Sequence, residues 1–290
     1  MNEIKYNERL NLGVEMLDKA HEKLFSIIRK LVALNEEAAN KKYISNEGIK
    51  YLENYTERHF TEEEAYMKSI NYVGFKKHKQ LHDDLKELTL PALKKDLEES
   101  EYSEESVQRF LGICLGWLTG HIMVEDRIMS EQIKDDDYEY SQDTIIAMET
   151  VIKGIMKDIF NLELQTVSKN YLGEDFGKRV YCRLTYGANN SGEKMQVYCI
   201  YEEALVFHIV SEMLGVSVQK IDKMSTNAIK QFSPHLVHYI GIYLQDWKEK
   251  KLEKVNMLTN LQFKNIVEDG KPKYGFLFNT GKGYFAFYIK

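Results

Sequence analysis

Cysteine is scarce in this chain. Its 290 residues hold three, Cys114, Cys182 and Cys199, scattered and odd in number. That excludes a disulfide framework and a paired CxxC zinc pattern. Cys182 and Cys199 are expected to be reduced core thiols, even on neighbouring strands. Basic charge is short too: 39 Lys and Arg face 45 Asp and Glu, a net charge of −6. This argues against nucleic-acid or anionic-membrane binding, both of which need a basic face. No apolar run reaches about 18 residues, so no transmembrane helix is expected. Residues 1–9 lack the apolar core of a signal peptide. The expectation is a cytoplasmic protein with neither nucleic-acid nor membrane partners. Its 43% hydrophobic and 29% charged residues suit a soluble, folded chain. Its length suits two domains.

The first half reads as four helices. Val14, Leu17, Leu24, Ile27, Ile28 and Leu31 recur at helical spacing over 12–35 and share that stretch with His21. A second helix is expected over 45–69, with Ile49, Leu52, Tyr55, His59, Glu63 and Met67 facing inward; Glu62 and Glu64 read as solvent-facing. After a turn at 71–74, a third helix over 75–97 carries His78 and His82, and Pro91 should kink or end it. A fourth, over 104–132, presents Phe110, Cys114, Trp117, Leu118, His121, Ile122, Glu125 or Asp126, and Met129. The polar, acidic segment 133–143 is the best domain boundary, separating 1–132 from 144–290.

Five of the eight histidines fall on those four helices. With Glu63 and Asp126 they make seven candidate metal ligands: His21, His59, Glu63, His78, His82, His121 and Asp126. His59/Glu63 and His78/His82 are four apart, so each pair shares one helical face. His121 and Asp126 are five apart, off perfect stacking but within reach of a centre between helices. An up-down four-helix bundle turns such faces to one core. Seven ligands exceed what one small transition metal takes and suit two, with carboxylates bridging. Imidazole and carboxylate without thiolate suit iron, manganese or zinc. No histidine in this half has a glutamate three residues before it, which rules out the other common di-iron bundle pattern.

Residues 1–132 resemble a bacterial hemerythrin domain. The matching segments are Gly13 through His21, Tyr55 through Met67, His78 through His82, and Trp117 through Ile122 with Asp126. Tyr6 stands where the family often has Trp, and Val73 where it often has Pro. The resemblance implies two iron ions joined by Glu63, Asp126 and an oxo or hydroxo bridge. His78, His82 and His121 would fill one iron; His21 and His59 would leave the other an open position for dioxygen. Trp117 and Leu118 are the candidate apolar walls of the dioxygen pocket.

The second half changes pattern. A helix is expected over 145–159, strands over 180–186 and 195–201 joined by a turn-rich connection at 188–192, and a helix over 202–215 ending at Gly215. A longer helix over 225–250 holds Pro234 and is expected in two pieces. Strands are expected over 256–264, 274–279 and 284–289, the last two joined by a hairpin turn at 280–283. This is an α/β, or α+β, domain with a largely antiparallel sheet. Glu202 through Gly215 and the closing hairpin resemble CheX-type chemotaxis phosphatase domains. In that family a Glu and an Asn three residues apart orient a water against an aspartyl phosphate. Here those positions fall on Gln231 and Pro234, which puts phosphatase activity in doubt. His235 and His238 read as a half-buried pair before a replacement acid/base or metal pair.

The sequence thus implies an all-α four-helix bundle binding dioxygen reversibly at a non-heme di-iron centre, fused to a CheX-like domain. An oxygen sensor coupled to chemotaxis-type signalling is the leading expectation. A response regulator or other chemotaxis protein is the expected partner, with homodimerisation through the second domain. The alternatives are an oxygen-regulated phosphatase of a phosphorylated response regulator, and a di-iron peroxidase or oxygen scavenger.

Overall fold

The computed structural model describes residues 8–37, 41–131, 144–188, 194–242, 244, 247 and 250–290. Tyr6, the acidic segment 133–143 and the turn residues 189–192 lie outside them. The chain divides into two compact units, Met1–Lys134 with Asp222–Ala228, and Asp135–Ile221 with Ile229–Lys290.

Four rods build the first unit. Helix α1 (Glu15–Glu37) opens where Asp18 accepts hydrogen bonds from the Leu12 and Gly13 amides, at 2.6 and 3.1 Å. Gly13 takes the left-handed φ of +80° that this loop requires. The second rod is α2 (Lys41–Ser69), four residues longer at its start than the sequence suggests. It ends where Asn71 turns left-handed and the Tyr72 amide bonds the Met67 carbonyl. The third rod joins α3 (Phe75–Asp83), a π-helical stretch over Asp84–Thr89, and α4 (Leu90–Glu99). The fourth joins α5 (Glu104–Gly120), a π-helical stretch over His121–Asp126, and α6 (Arg127–Ser130). Helix α1 packs on α2 and α5, α2 on α3, and α4 on α5, which closes the ring.

Pro91 does not end the third rod. The Leu90 amide bonds Leu85, five residues back, so the helix widens just before the proline. Pro91 then falls in the first turn of α4, where its missing N–H costs little. The fourth rod, Glu104–Ser130, is long and apolar enough to cross a membrane, where none was expected. However, 78% of its most apolar window is buried, and the rod also carries His121, Glu125 and Asp126.

The second unit starts with α7 (Thr144–Phe160) and builds one antiparallel sheet. Its strands are β1 (Gln165–Ser168), β2 (Arg179–Ala188), β3 (Lys194–Glu202), β4 (Lys250–Leu258), β5 (Tyr274–Asn279) and β6 (Tyr284–Ile289). They lie in the order β1-β5-β6-β3-β2-β4. Helices α8 (Glu203–Leu214) and α10 (Asn260–Glu268), with α9 (Lys223–Ile242) from Ile229 onward, complete it. Gly215 closes α8 in the left-handed conformation. On one face Phe263 of α10 packs with Tyr171, Tyr181, Tyr198, Ile200, Ala286 and Tyr288. On the other, Cys182, Leu184, Cys199, Tyr201 and Phe285 are fully buried, and the Tyr201 hydroxyl meets Ser233 Oγ of α9 at 3.0 Å. Cys182 and Cys199 are direct cross-strand partners, both as free thiols.

Three sequence expectations are corrected here. Helix α9 runs unbroken through Pro234 and stops at Ile242, so Lys250 opens a strand instead of closing a helix. The strand expected over 256–264 is the end of β4 followed by α10. The short edge strand β1 carried no signal.

A capping box starts α10. Thr259 Oγ1 accepts from the Gln262 amide, and the Gln262 side chain accepts from the Thr259 amide. Replacing Thr259 by alanine is expected to cost about 1 kcal/mol of local stability. Amide hydrogen exchange over 260–268 should read that loss directly.

A candidate metal centre in the helical unit

All seven predicted ligands are buried within the first unit, each 3% exposed or less. One comes from α1 (His21), two from α2 (His59, Glu63), two from α3 (His78, His82) and two from the fourth rod (His121, Asp126). Six of them gather as two donor groups, and Asp126 lies beside both. Glu63, His78, His82 and His121 form one; His21, His59 and Glu63 form the other.

The spacings within the groups carry information. His121 Nε2 lies 3.0 Å from Nε2 of both His78 and His82, and the two Nε2 atoms of His21 and His59 are 3.2 Å apart. Two nitrogens bound at right angles to one metal, at about 2.1 Å each, stand about 3.0 Å apart; tetrahedral ligands would stand about 3.4 Å apart. His121 therefore stands at the separation of an octahedral neighbour from both His78 and His82.

Both carboxylates reach both groups. Asp126 Oδ1 lies 3.0 Å from His121 Nε2 and 3.2 Å from His78 Nε2, while its Oδ2 lies 3.3 Å from His21 Nε2. Glu63 Oε1 lies 2.9 Å from His78 Nε2, and its Oε2 lies 3.3 Å from His59 Nε2 and 3.5 Å from His82 Nε2. Yet none of these four oxygens meets a partner in hydrogen-bond geometry. Buried carboxylates without partners are costly. Here the imidazole and carboxylate atoms crowd together without pairing, which is what a cation between them would explain. The donor set fits metal.

The π-helical stretch explains the five-residue spacing. In a regular α-helix His121 and Asp126 would point about 140° apart. A π-turn bonds residue i to i+5 and brings them round to the same side.

Aromatic rings fix the imidazole planes. Phe60 stacks on His82 at 3.8 Å and 3°, and Trp117 on His121 at 4.3 Å and 13°. Phe60, Trp117 and Leu118 also line an apolar cavity of about 20 Å³, together with Leu24, Ile28 and Leu52. Val73, which departs from the family pattern, is 85% exposed.

Glu64 was read as solvent-facing and is not. Its side chain is 17% exposed and reaches His82 Nδ1. In the second unit, Gln231 and Pro234 are half-buried on α9, His235 is buried and His238 half-buried. Among the described residues, no third metal donor joins that histidine pair.

The charges of the metal-free chain follow from burial. Burial, with His59 beside it, lowers His21 to about 3. It also lowers His59 and His82, against the pull of the nearby carboxylates. Burial acts the same way on His78, but Asp126 and Glu63 outweigh it and carry His78 up to about 10. Burial would raise Asp126, but His121, His78 and His21 hold it well below the carboxylate range. His78 therefore adds stability below pH 6.5 that fades as the pH climbs toward 10. His21, neutral when folded, withdraws stability as the pH falls from 6.5 toward 3. The metal-free chain should thus resist urea best near pH 6.5 and weaken on both sides, as fluorescence-monitored denaturation across that range would show.

Comparison with known proteins agrees with this geometry. Residues 12–133 match the family model described as the hemerythrin HHE cation binding domain. A bacteriohemerythrin of Clostridium acetobutylicum is 32% identical over 129 residues, 42% of this chain and 95% of that protein. A myohemerythrin of Theromyzon tessulatum is 30% identical over 122 residues, 42% of this chain and 87% of that protein. The C-terminal half is similar to the solved chemotaxis protein CheX of Vibrio vulnificus, at 12% identity and a TM-score of 0.39, covering 53% of this chain and 98% of that one. Through its first unit, the chain belongs to the hemerythrin family.

Proposed function

We propose that the first unit binds two iron ions and takes up dioxygen reversibly, and that the chain serves as an oxygen sensor. The observation that carries this reading is that Glu63 and Asp126 each face both histidine groups without a hydrogen-bond partner. His78, His82 and His121 would hold one iron and His21 and His59 the other, with Glu63 and Asp126 within reach of both. The two-histidine group, with fewer protein donors, would be the side that takes dioxygen. When bound, the metal pair supplies the two electrons that hold dioxygen and recovers them on release. The chain's own part is to orient the ligands and keep water out. Phe60 and Trp117 give the three-histidine side an apolar wall, and Leu118 lines the same cavity with Leu24 and Ile28 of α1.

The sensor reading adds that oxygenation favours one state of the second unit, which then engages a signalling partner such as a response regulator. It rests on the sequence resemblance of 202–215 and 276–289 to CheX-type domains. Strand β4, nine residues long at the sheet edge beside β2, offers its outer backbone for pairing with a second copy. The compartment we assign is the cytoplasm, where the buried thiols Cys182 and Cys199 stay reduced. Gln231 supplies no carboxylate at the Glu position and Pro234 no side-chain amide at the Asn position, so phosphatase activity is not part of the proposal.

Anaerobic loading with ferrous iron should give about two irons per chain, as in other di-iron bundles. Air should then raise a visible absorption band that argon purging reverses. One iron or none per chain would sink the reading, and irreversible bleaching with peroxide turnover would replace it by oxygen scavenging. Glu63→Ala should lose metal outright, since it removes a donor common to both groups, while His82→Ala should weaken one group only; metal analysis of both variants checks this. Identical hydrogen exchange of the second unit with and without dioxygen would leave carriage and remove sensing.

A further inference from the structure

His82 differs from its neighbours on the side turned away from the donor cluster. The Nδ1 atoms of His21, His59 and His121 are buried and meet no hydrogen-bond partner. His82 Nδ1 lies 3.4 Å from Glu64 Oε1. That same oxygen is 3.4 Å from Lys79 Nζ, and Lys79 Nζ is 2.7 Å from Asp83 Oδ1. Side-chain exposure rises outward along this chain of groups, from 1% at His82 to 17% at Glu64 and 37% at Lys79.

The placement follows from helix geometry. Glu63 points into the bundle. Glu64, about 100° further round α2, faces the seam with α3. Lys79 and Asp83 are four apart on α3 and meet on its surface. Phe60, stacked face to face on His82, fixes the plane of the ring but not its rotation within that plane. A hydrogen bond to Nδ1 fixes the rotation. It also keeps the proton on Nδ1, which leaves the Nε2 lone pair for metal.

Resting on the two-metal reading above, we propose that Glu64 is a positioning residue: it accepts the Nδ1–H of His82, sets that ring's tautomer and rotation, and strengthens its donation to metal. Lys79, held by Asp83, keeps Glu64 in place. Among the imidazoles whose Nδ1 is buried without a partner, none receives this support, so the three-histidine group is electronically uneven.

The test uses the full chain with three variants: Glu64→Ala, Glu64→Gln, and Glu62→Ala as a control on the same helix, where Glu62 pairs with Arg58 at the surface. Zinc affinity is read by competition with a chromophoric chelator, and the midpoint potential on the iron-loaded chain. Glu64→Ala should weaken zinc binding about 10- to 100-fold, the usual effect of losing such a support, and should raise the potential. Glu64→Gln keeps an acceptor but not the charge; it should retain most of the zinc affinity while sharing the upward shift. Glu62→Ala should match the parent in both. The proposal is overturned if Glu64→Ala equals the parent, or if Glu62→Ala changes as much. Should Glu64→Ala not fold, the near-isosteric Gln variant decides through the potential alone. A parent chain that holds no metal sinks the two-metal reading and this proposal together; a metal-binding parent with an unchanged Glu64→Ala sinks only the proposal.

Discussion

Two carboxylates sit where water cannot reach them, ringed by five buried imidazoles. That burial governs the first unit. Taking a carboxylate out of water costs several kcal/mol even after relaxation, and Glu63 and Asp126 are both fully buried. His121, His78 and His21 offset that cost for Asp126, and the two carboxylates in turn hold His78 protonated. The rods are long and apolar on both sides of this plane, with Leu17, Leu24, Phe25 and Ile28 on α1 and Phe110, Leu111 and Ile122 on the fourth rod. Their packing holds the donors in place.

The site was legible because its chemistry repeats at the period of the helix. His59 with Glu63, and His78 with His82, announce themselves by spacing four, and their partners are the histidines left on the remaining two rods. Glu64 was not legible. Its role depends on the seam between α2 and α3, and no pattern within α2 alone distinguishes it from Glu62. The stacking of Phe60 and Trp117 on ligand rings was hidden for the same reason, since apolar residues at those positions read simply as core.

In the second unit the closing hairpin was readable. Two aromatic-rich runs, 274–279 and 284–289, flank a turn whose Gly281 and Gly283 both take positive φ. The misreading at 256–264 came from following apolar residues across a boundary. Thr259 and Gln262 spell a helix start, and that local signal outweighs the apolar count. Pro234 misled in the opposite direction. Phe232, Leu236, Val237 and Ile240 are fully buried around it, and their packing keeps α9 continuous despite a proline that costs about 3 kcal/mol in an unsupported helix.

The wide turn at His121–Asp126 has a bearing on how such a pair could arise. One residue slipped into a four-spaced pair makes a five-spaced pair, and a helix able to bulge absorbs the insertion without moving either end of the pair off target. Any motif search that insists on even spacing along this rod would pass over Asp126 and settle on its neighbour Glu125. For this rod the register of the chemistry and the register of the letters part company by a single step.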